Sequence, residues 1–241
     1  MVFVPRLAPL VIMAFLLTGL SLAVSLIGIL GGLLARNRLV VRIALIAGLI
    51  VAAGYGVTWT ASGLASRERT LAPGERKYFC EIDCHLAYSI VAVERVRELG
   101  HGATAARARG DFWIVTLETW FDPSTIAQWR PRDVPLTPNP RRVVMIDAAG
   151  HTFSRSSAGQ RALEEPSMSL ETPLVPGQSF RTRLVFDLPR DVRAPRVLLT
   201  DADPMVALLI GHENAPVHRK AFFALPPVAE AQPAEPSGGI R

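Results

Sequence analysis

Two long apolar stretches open the chain, and a different rhythm follows them. No charged residue stands from Leu7 to Ala35, a run of about 28 residues where roughly 20 suffice for a helix to cross a bilayer. A second uncharged run goes from Ile43 to about Ser66, with Tyr55 and Trp59 toward its far end. Such aromatic rings favour the lipid–water boundary. Together the runs predict a two-span transmembrane hairpin over residues 1–65. Both carry small residues at spacing four: Ser21 with Ser25 and then Gly28 with Gly32 in the first, Ala44, Gly48, Ala52 and Gly56 in the second. Small side chains let helix backbones approach closely, so Gly28, Gly32, Gly48 and Gly56 are the expected helix-packing positions. The same face could also dock another membrane subunit.

From residue 66 the apolar residues come in short bursts broken by turn signals. Residues 66–77 form a polar linker containing Pro73-Gly74. Strand character follows at Tyr78–Ile82, His85–Leu99 and Asp111–Asp122, the last rich in aromatic and β-branched residues. Between the second and third of these, Gly100 to Gly110 reads as a loop. Residues 123–140 are too rich in proline for a regular helix or a central strand. Arg141–Ile146, a turn at Asp147–Gly150 and His151–Arg155 read as a hairpin, and residues 156–166 as a short helix or loop. Ser179–Leu188 alternates: Phe180, Thr182, Leu184 and Phe186 share one face, Arg181, Arg183 and Asp187 the other. Three shorter strands are expected at Arg196–Thr200, Val206–Ile210 and Lys220–Leu225. Residues 226–241 have no periodicity and read as a disordered tail. The pattern predicts an antiparallel β-sandwich over 78–225, with a β-barrel as the other closed form.

Charge settles orientation more than partner. Arg6, Arg36, Arg38 and Arg42 are the only charged residues before Arg67, and the remainder carries 22 basic against 21 acidic residues. The net charge of +5 therefore comes from the membrane end, and gives no reason to expect nucleic-acid binding. Three arginines between the runs mark that loop as cytoplasmic. Both the N-terminus and the domain after Ser66 then lie outside the inner (plasma) membrane, in the periplasm or beyond. Arg67, Arg69, Arg76 and Lys77 pull the other way.

Candidate chemistry gathers in Tyr78–Tyr88, which holds Cys80, Cys84 and His85. Two cysteines this close, beyond a membrane anchor, suit a disulfide in an oxidising compartment. A loop this short would contribute only about 2 kcal/mol. The same residues could instead bind copper or zinc, with His218, His212 or Met205 completing the set. Cys80-x-x-x-Cys84-His85 is also one residue longer than the covalent haem c motif. A dithiol redox pair is disfavoured by Glu81 and Asp83, which raise thiol pKa values. No nucleotide-binding glycine pattern, nucleophile elbow or evident small-molecule substrate site is present.

Residues 112–200 resemble bacterial extracellular immunoglobulin-like domains of unknown function. The shared pattern is the aromatic strand 112–121, Val143-Val-Met-Ile-Asp-Ala-Ala-Gly-His-Thr-Phe153, Pro176-Gly177, and Leu184-Val-Phe-Asp-Leu-Pro189. The resemblance implies an immunoglobulin-like sandwich outside the cell and carries no catalytic residues. The layout is also similar to subunit II of the haem–copper oxidases, an N-out helix hairpin before an outer β-domain. There Cys80 and Cys84 match the copper-site cysteines, but Tyr88 and Val91 stand where His and Met belong. The expected function is a non-enzymatic accessory or structural subunit that contacts the bilayer and other membrane subunits. The alternative is an electron-transfer or metal-handling subunit using Cys80, Cys84 and His85.

Overall fold

The computed structural model describes residues 8–230, except 82, 166 and 228. Ile82, most of the expected tail and Arg6 lie outside the described residues. The chain divides into two compact units: Met1–Arg69 with Asp201–Ala221, and Thr70–Thr200 with Phe222–Arg241.

The first unit is built on α1 (Ala8–Leu34) and α2 (Arg38–Leu64), each 27 residues long. Both are long and apolar enough to cross a membrane. Asn37 ends the arginine loop by capping α2: its Oδ1 accepts from the Leu39 and Val40 amides at 3.1 and 3.2 Å. Small residues form the seam. A Cβ added at Gly28 would meet Ala44 at 3.1 Å, one at Gly32 would meet Val41 at 2.8 Å, and one at Gly48 would meet Ser25 at 3.2 Å. Gly56 corrects the expected set, because a Cβ there meets nothing within 4 Å. Steps of four overshoot a helical turn by about 40° each, so three steps from Ala44 rotate Gly56 off the seam. The contact instead follows Val41, Ala44, Gly48 and Tyr55, whose ring sits 6.4 Å from that of Phe15. Those steps of three, four and seven follow the seven-residue repeat of supercoiled helix pairs. Away from the seam, large apolar side chains such as Leu20, Ile27, Ile43 and Ile50 are exposed.

Residues 201–221 complete this unit, and here the structure departs from the sequence expectation. The strand expected at Val206–Ile210 is not formed. Pro204–Leu208 is a 3-10 turn, capped by the Asp203 carboxylate, which accepts from the Met205 amide at 2.8 Å.

The second unit holds the sandwich. Its strands are β1 (Arg69–Leu71), β2 (Lys77–Cys80), β3 (His85–Leu99), β4 (Ala106–Phe121), β5 (Arg141–Ile146), β6 (Thr152–Phe153), β7 (Ser179–Leu188), β8 (Arg196–Asp201), β9 (Ala221–Phe223) and β10 (Ala229–Glu230). A short helix, α3 (Ser157–Arg161), lies between β6 and β7. One sheet runs β1-β9-β8-β5-β6; the other runs β10-β3-β4-β7, with β2 also on β3. The β2–β3, β3–β4, β4–β7, β5–β6 and β8–β9 pairs are antiparallel. The edge pair β10–β3 is parallel. The expected loop at 100–110 is shorter than predicted, since β4 starts at Ala106 and pairs Arg107 with Glu98.

Alternation places the core. Phe180, Thr182, Leu184, Phe186 and Leu188 of β7 are buried, as the sequence pattern requires. The four apolar ones join Tyr88, Val115, Leu117, Phe121, Met145, Leu199 and Phe223 in the main apolar cluster. On the outer face of the same sheet, Phe112, Ile114 and Val185 form a second cluster. There α3 packs so closely that a Cβ on Gly159 would lie 2.5 Å from Val185.

Candidate functional site

The cysteine stretch folds as a tight hairpin. β2 pairs with the start of β3 from Lys77↔Tyr88 to Cys80↔His85, leaving a four-residue connection. The Glu81 amide donates to the Cys84 carbonyl at 2.8 Å, and the Asp83 amide to the Glu81 carbonyl at 2.9 Å. Successive strand residues face opposite ways. Lys77 and Phe79 are therefore buried, while Tyr78 and Cys80 are half-buried. Cys84 turns into the main core, where it is 1 % exposed.

The expected disulfide is not formed; both cysteines are thiols. The reason is directional. Cys80 shares the face of Tyr78, whereas Cys84 packs with the core. The Cys84 thiol is pushed up to about 12, first by burial and then by its hydrogen bond to Asp83. A thiol in that state is a poor nucleophile and a poor metal ligand at neutral pH, since both roles need thiolate.

The acids beside the cysteines have a structural use that local reading does not reveal. Glu81 forms a fully buried ion pair with Arg141, their side chains 2 % and 0 % exposed. The other Glu81 oxygen accepts from the Asn139 amide at 3.3 Å. The Arg141 guanidinium also lies 4.3 Å from the centre of the Phe79 ring. Asp83 pairs with Arg130 at 2.7 Å. Burial is the largest influence and opposes its charge, but the hydrogen bonds from Arg130 and Cys84 and the charge of Arg130 together outweigh it and hold the carboxyl below its ordinary value. Three further bonds tie hairpin to connection: the Ala127 amide to the Asp83 carbonyl at 2.8 Å, the Asp122 amide to the His85 carbonyl at 3.2 Å, and the His85 amide to Thr125 Oγ1 at 3.0 Å. The hairpin thus clasps the proline-rich connection 123–140. The signal available in sequence was the pair of acids flanking a core cysteine; their arginine partners lie 60 and 47 residues away.

The metal set expected from the sequence draws on both units. Cys80, Cys84 and His85 belong to the second unit, whereas Met205, His212 and His218 belong to the first. Among the described residues, no group of three His, Cys, Asp or Glu side chains could hold a metal ion. The histidines of the first unit have other uses. His212 Nε2 lies 3.0 Å from Asp201, and its Nδ1 accepts from the Asn214 amide at 3.1 Å. His218 Nδ1 donates to the Arg219 carbonyl at 2.6 Å, and burial lowers its pKa.

These features define a class: a two-helix apolar hairpin joined to a β-sandwich. No known family model and no curated protein matches the chain. Among solved structures, it is similar to the secreted protein MPT63 of Mycobacterium tuberculosis, at 10 % identity and a TM-score of 0.42, over 66 % of this chain and 97 % of that one. It is also similar to the yjhA protein of Bacillus subtilis, at 12 % identity and a TM-score of 0.41, over 65 % and 100 %. A third is an uncharacterized β-sandwich protein of Clostridium difficile 630, at 10 % identity and a TM-score of 0.33, over 67 % and 96 %.

Proposed function

We propose that this chain is a two-pass protein of the inner (plasma) membrane. It presents its sandwich on the outer side and acts by binding, as an accessory or structural subunit of a membrane complex. The observation that carries the reading is the helix hairpin. Gly28, Gly32 and Gly48 are consumed at the seam, and large apolar side chains such as Leu20, Ile27 and Ile50 are left facing outward. Such a surface needs lipid or another apolar helix against it. The arginine-rich turn then belongs to the cytoplasmic side. Two of the four basic residues that oppose this orientation are taken up by the sandwich. The Lys77 ammonium is buried and donates to the Leu199 carbonyl at 2.7 Å. The Arg76 guanidinium stacks 3.9 Å from the Trp120 ring centre.

Topology is tested by labelling intact cells with a membrane-impermeant maleimide. In a Cys80→Ser background, which removes the half-buried native thiol, Ala149→Cys should label directly and Ala35→Cys only after permeabilisation; the reverse order overturns the orientation. Purification in mild detergent should bring a membrane partner with the chain. Recovery solely as a free monomer overturns the accessory role.

A further inference from the structure

Residues 204–211 read Pro-Met-Val-Ala-Leu-Leu-Ile-Gly, with no charge between Asp203 and His212. This irregular segment lies along α2 within the first unit. Its carbonyls are satisfied one after another. Val206 accepts from the Leu209 amide at 3.1 Å, and Leu209 from the His212 amide at 3.2 Å. Between them, Ala207 accepts from Trp59 Nε1 at 3.0 Å and Leu208 from the Tyr55 hydroxyl at 2.8 Å. Ser62 Oγ accepts from the Gly211 amide at 3.1 Å. Polar groups are thus turned inward to α2, while the Met205 and Leu208 side chains face out, 58 % and 46 % exposed.

Depth decides what covers them. Counted from Ile43, about 20 residues of α2 fill a hydrocarbon core of about 30 Å and end near Ser62. Trp59 then lies about 4.5 Å inside the outer boundary and Tyr55 about 10 Å inside. The segment hydrogen-bonds to both. Non-helical backbone at such depth is tolerated where its polar groups are satisfied by protein, and here the four successive carbonyls from Val206 to Leu209 are.

We propose that residues 204–211 are a third membrane contact, a wedge seated shallowly in the outer leaflet beside α2. This rests on the proposed two-pass hairpin. The unaltered protein is reconstituted in phosphatidylethanolamine–phosphatidylglycerol vesicles containing a phospholipid with a photoactivatable diazirine in the upper part of its acyl chain. Adducts are mapped by mass spectrometry. Adducts on α1, α2 and the 204–211 peptide are expected. Adducts on the helices but not on 204–211 overturn the wedge and leave the hairpin standing. Adducts on neither overturn the hairpin and the wedge with it. A second measurement uses two methionines exposed to similar degree in the chain itself, Met205 at 58 % and Met168 in the sandwich at 47 %. With a bulky aqueous oxidant, Met205 should oxidise severalfold more slowly than Met168 in vesicles and at a similar rate in denaturant. Equal rates in vesicles overturn the proposal.

Discussion

The buried Glu81–Arg141 pair makes an asymmetric prediction. Both side chains are withdrawn from water, at 2 % and 0 % exposure. Removing one partner of such a pair leaves the other charge stranded, which costs about 3–5 kcal/mol. The two partners differ in their escape. Arginine cannot shed its proton, so Glu81→Gln strands a cation whose remaining compensation includes the Phe79 ring at 4.3 Å. The expected loss is about 3 kcal/mol, which lowers the melting temperature by roughly 6–12 °C. Arg141→Met strands a carboxyl that can neutralise itself. Burial already raises the Glu81 pKa, with Arg141 pulling it back. A native state that binds the proton more tightly than the unfolded chain is favoured by acid. That contribution fades as pH rises from the ordinary carboxyl range through the raised value. Without Arg141 the raised value moves further up. Arg141→Met should therefore be close to wild type near the ordinary carboxyl range and lose stability steadily toward neutral pH. Glu81→Gln should be destabilised across the whole range. The double variant should recover part of the Glu81→Gln loss, through a coupling of about 0.5–3 kcal/mol. Near-UV circular dichroism melts of the intact protein in detergent, scanned over pH, read all four corners of the cycle. Equal pH dependence in both single variants, or a strictly additive double variant, refutes the reasoning.

Three further outcomes follow from the same geometry. Cys84, with its thiol pushed up to about 12, should react with iodoacetamide at neutral pH only after unfolding, while the half-buried Cys80 reacts first. The intact mass should retain both thiol hydrogens, and their loss means that the disulfide forms after all. In the helix seam, Gly32→Leu should push against Val41 and cost about 1–3 kcal/mol, whereas Gly56→Leu, where nothing lies within 4 Å, should leave the melting curve unchanged. In the sandwich, a Cβ on Gly110 would overlap the Leu188 carbonyl. Gly110→Ala must then displace backbone between β4 and β7, and hydrogen exchange should accelerate along that pair; unaltered protection there rejects the close approach.

The strongly periodic parts of the chain were legible. The charge-free run from Leu7 to Ala35 became α1 almost to the residue, and the alternation of Ser179–Leu188 became β7 with the same bounds. Where two forces act together, pattern alone was insufficient. The Ala/Arg stretch before Gly110 has little intrinsic strand preference, but Arg107 pairs across from Glu98 and the strand extends. The cysteine stretch was misread for the same reason. Cys80 and Cys84 suggest a bridge by spacing, yet Cys80 shares the half-buried face of Tyr78 while Cys84 packs into the core. The acids around them look like modulators of thiol chemistry. Their arginines come from Arg130 and Arg141, and only the folded chain brings those close.

The apolar run at 206–210 shows where a short pattern stops being decisive. Six apolar residues between Pro204 and Gly211 fit a buried strand as well as they fit an apolar surface. The choice falls on where the backbone finds its hydrogen bonds. In a strand they would go to a neighbouring strand. Here they go within the turn and to side chains of a helix about 150 residues earlier in the chain. Tyr55 and Trp59 stood out in the sequence as aromatics near the end of an apolar run. A ring at a lipid boundary needs a partner for its polar tip, and water is the usual one. In this chain the partners are the Leu208 and Ala207 carbonyls. The same two donors near the end of α2 thereby give this stretch of backbone a place beside it. That exchange turns an ambiguous apolar run into a part of the helix-hairpin unit.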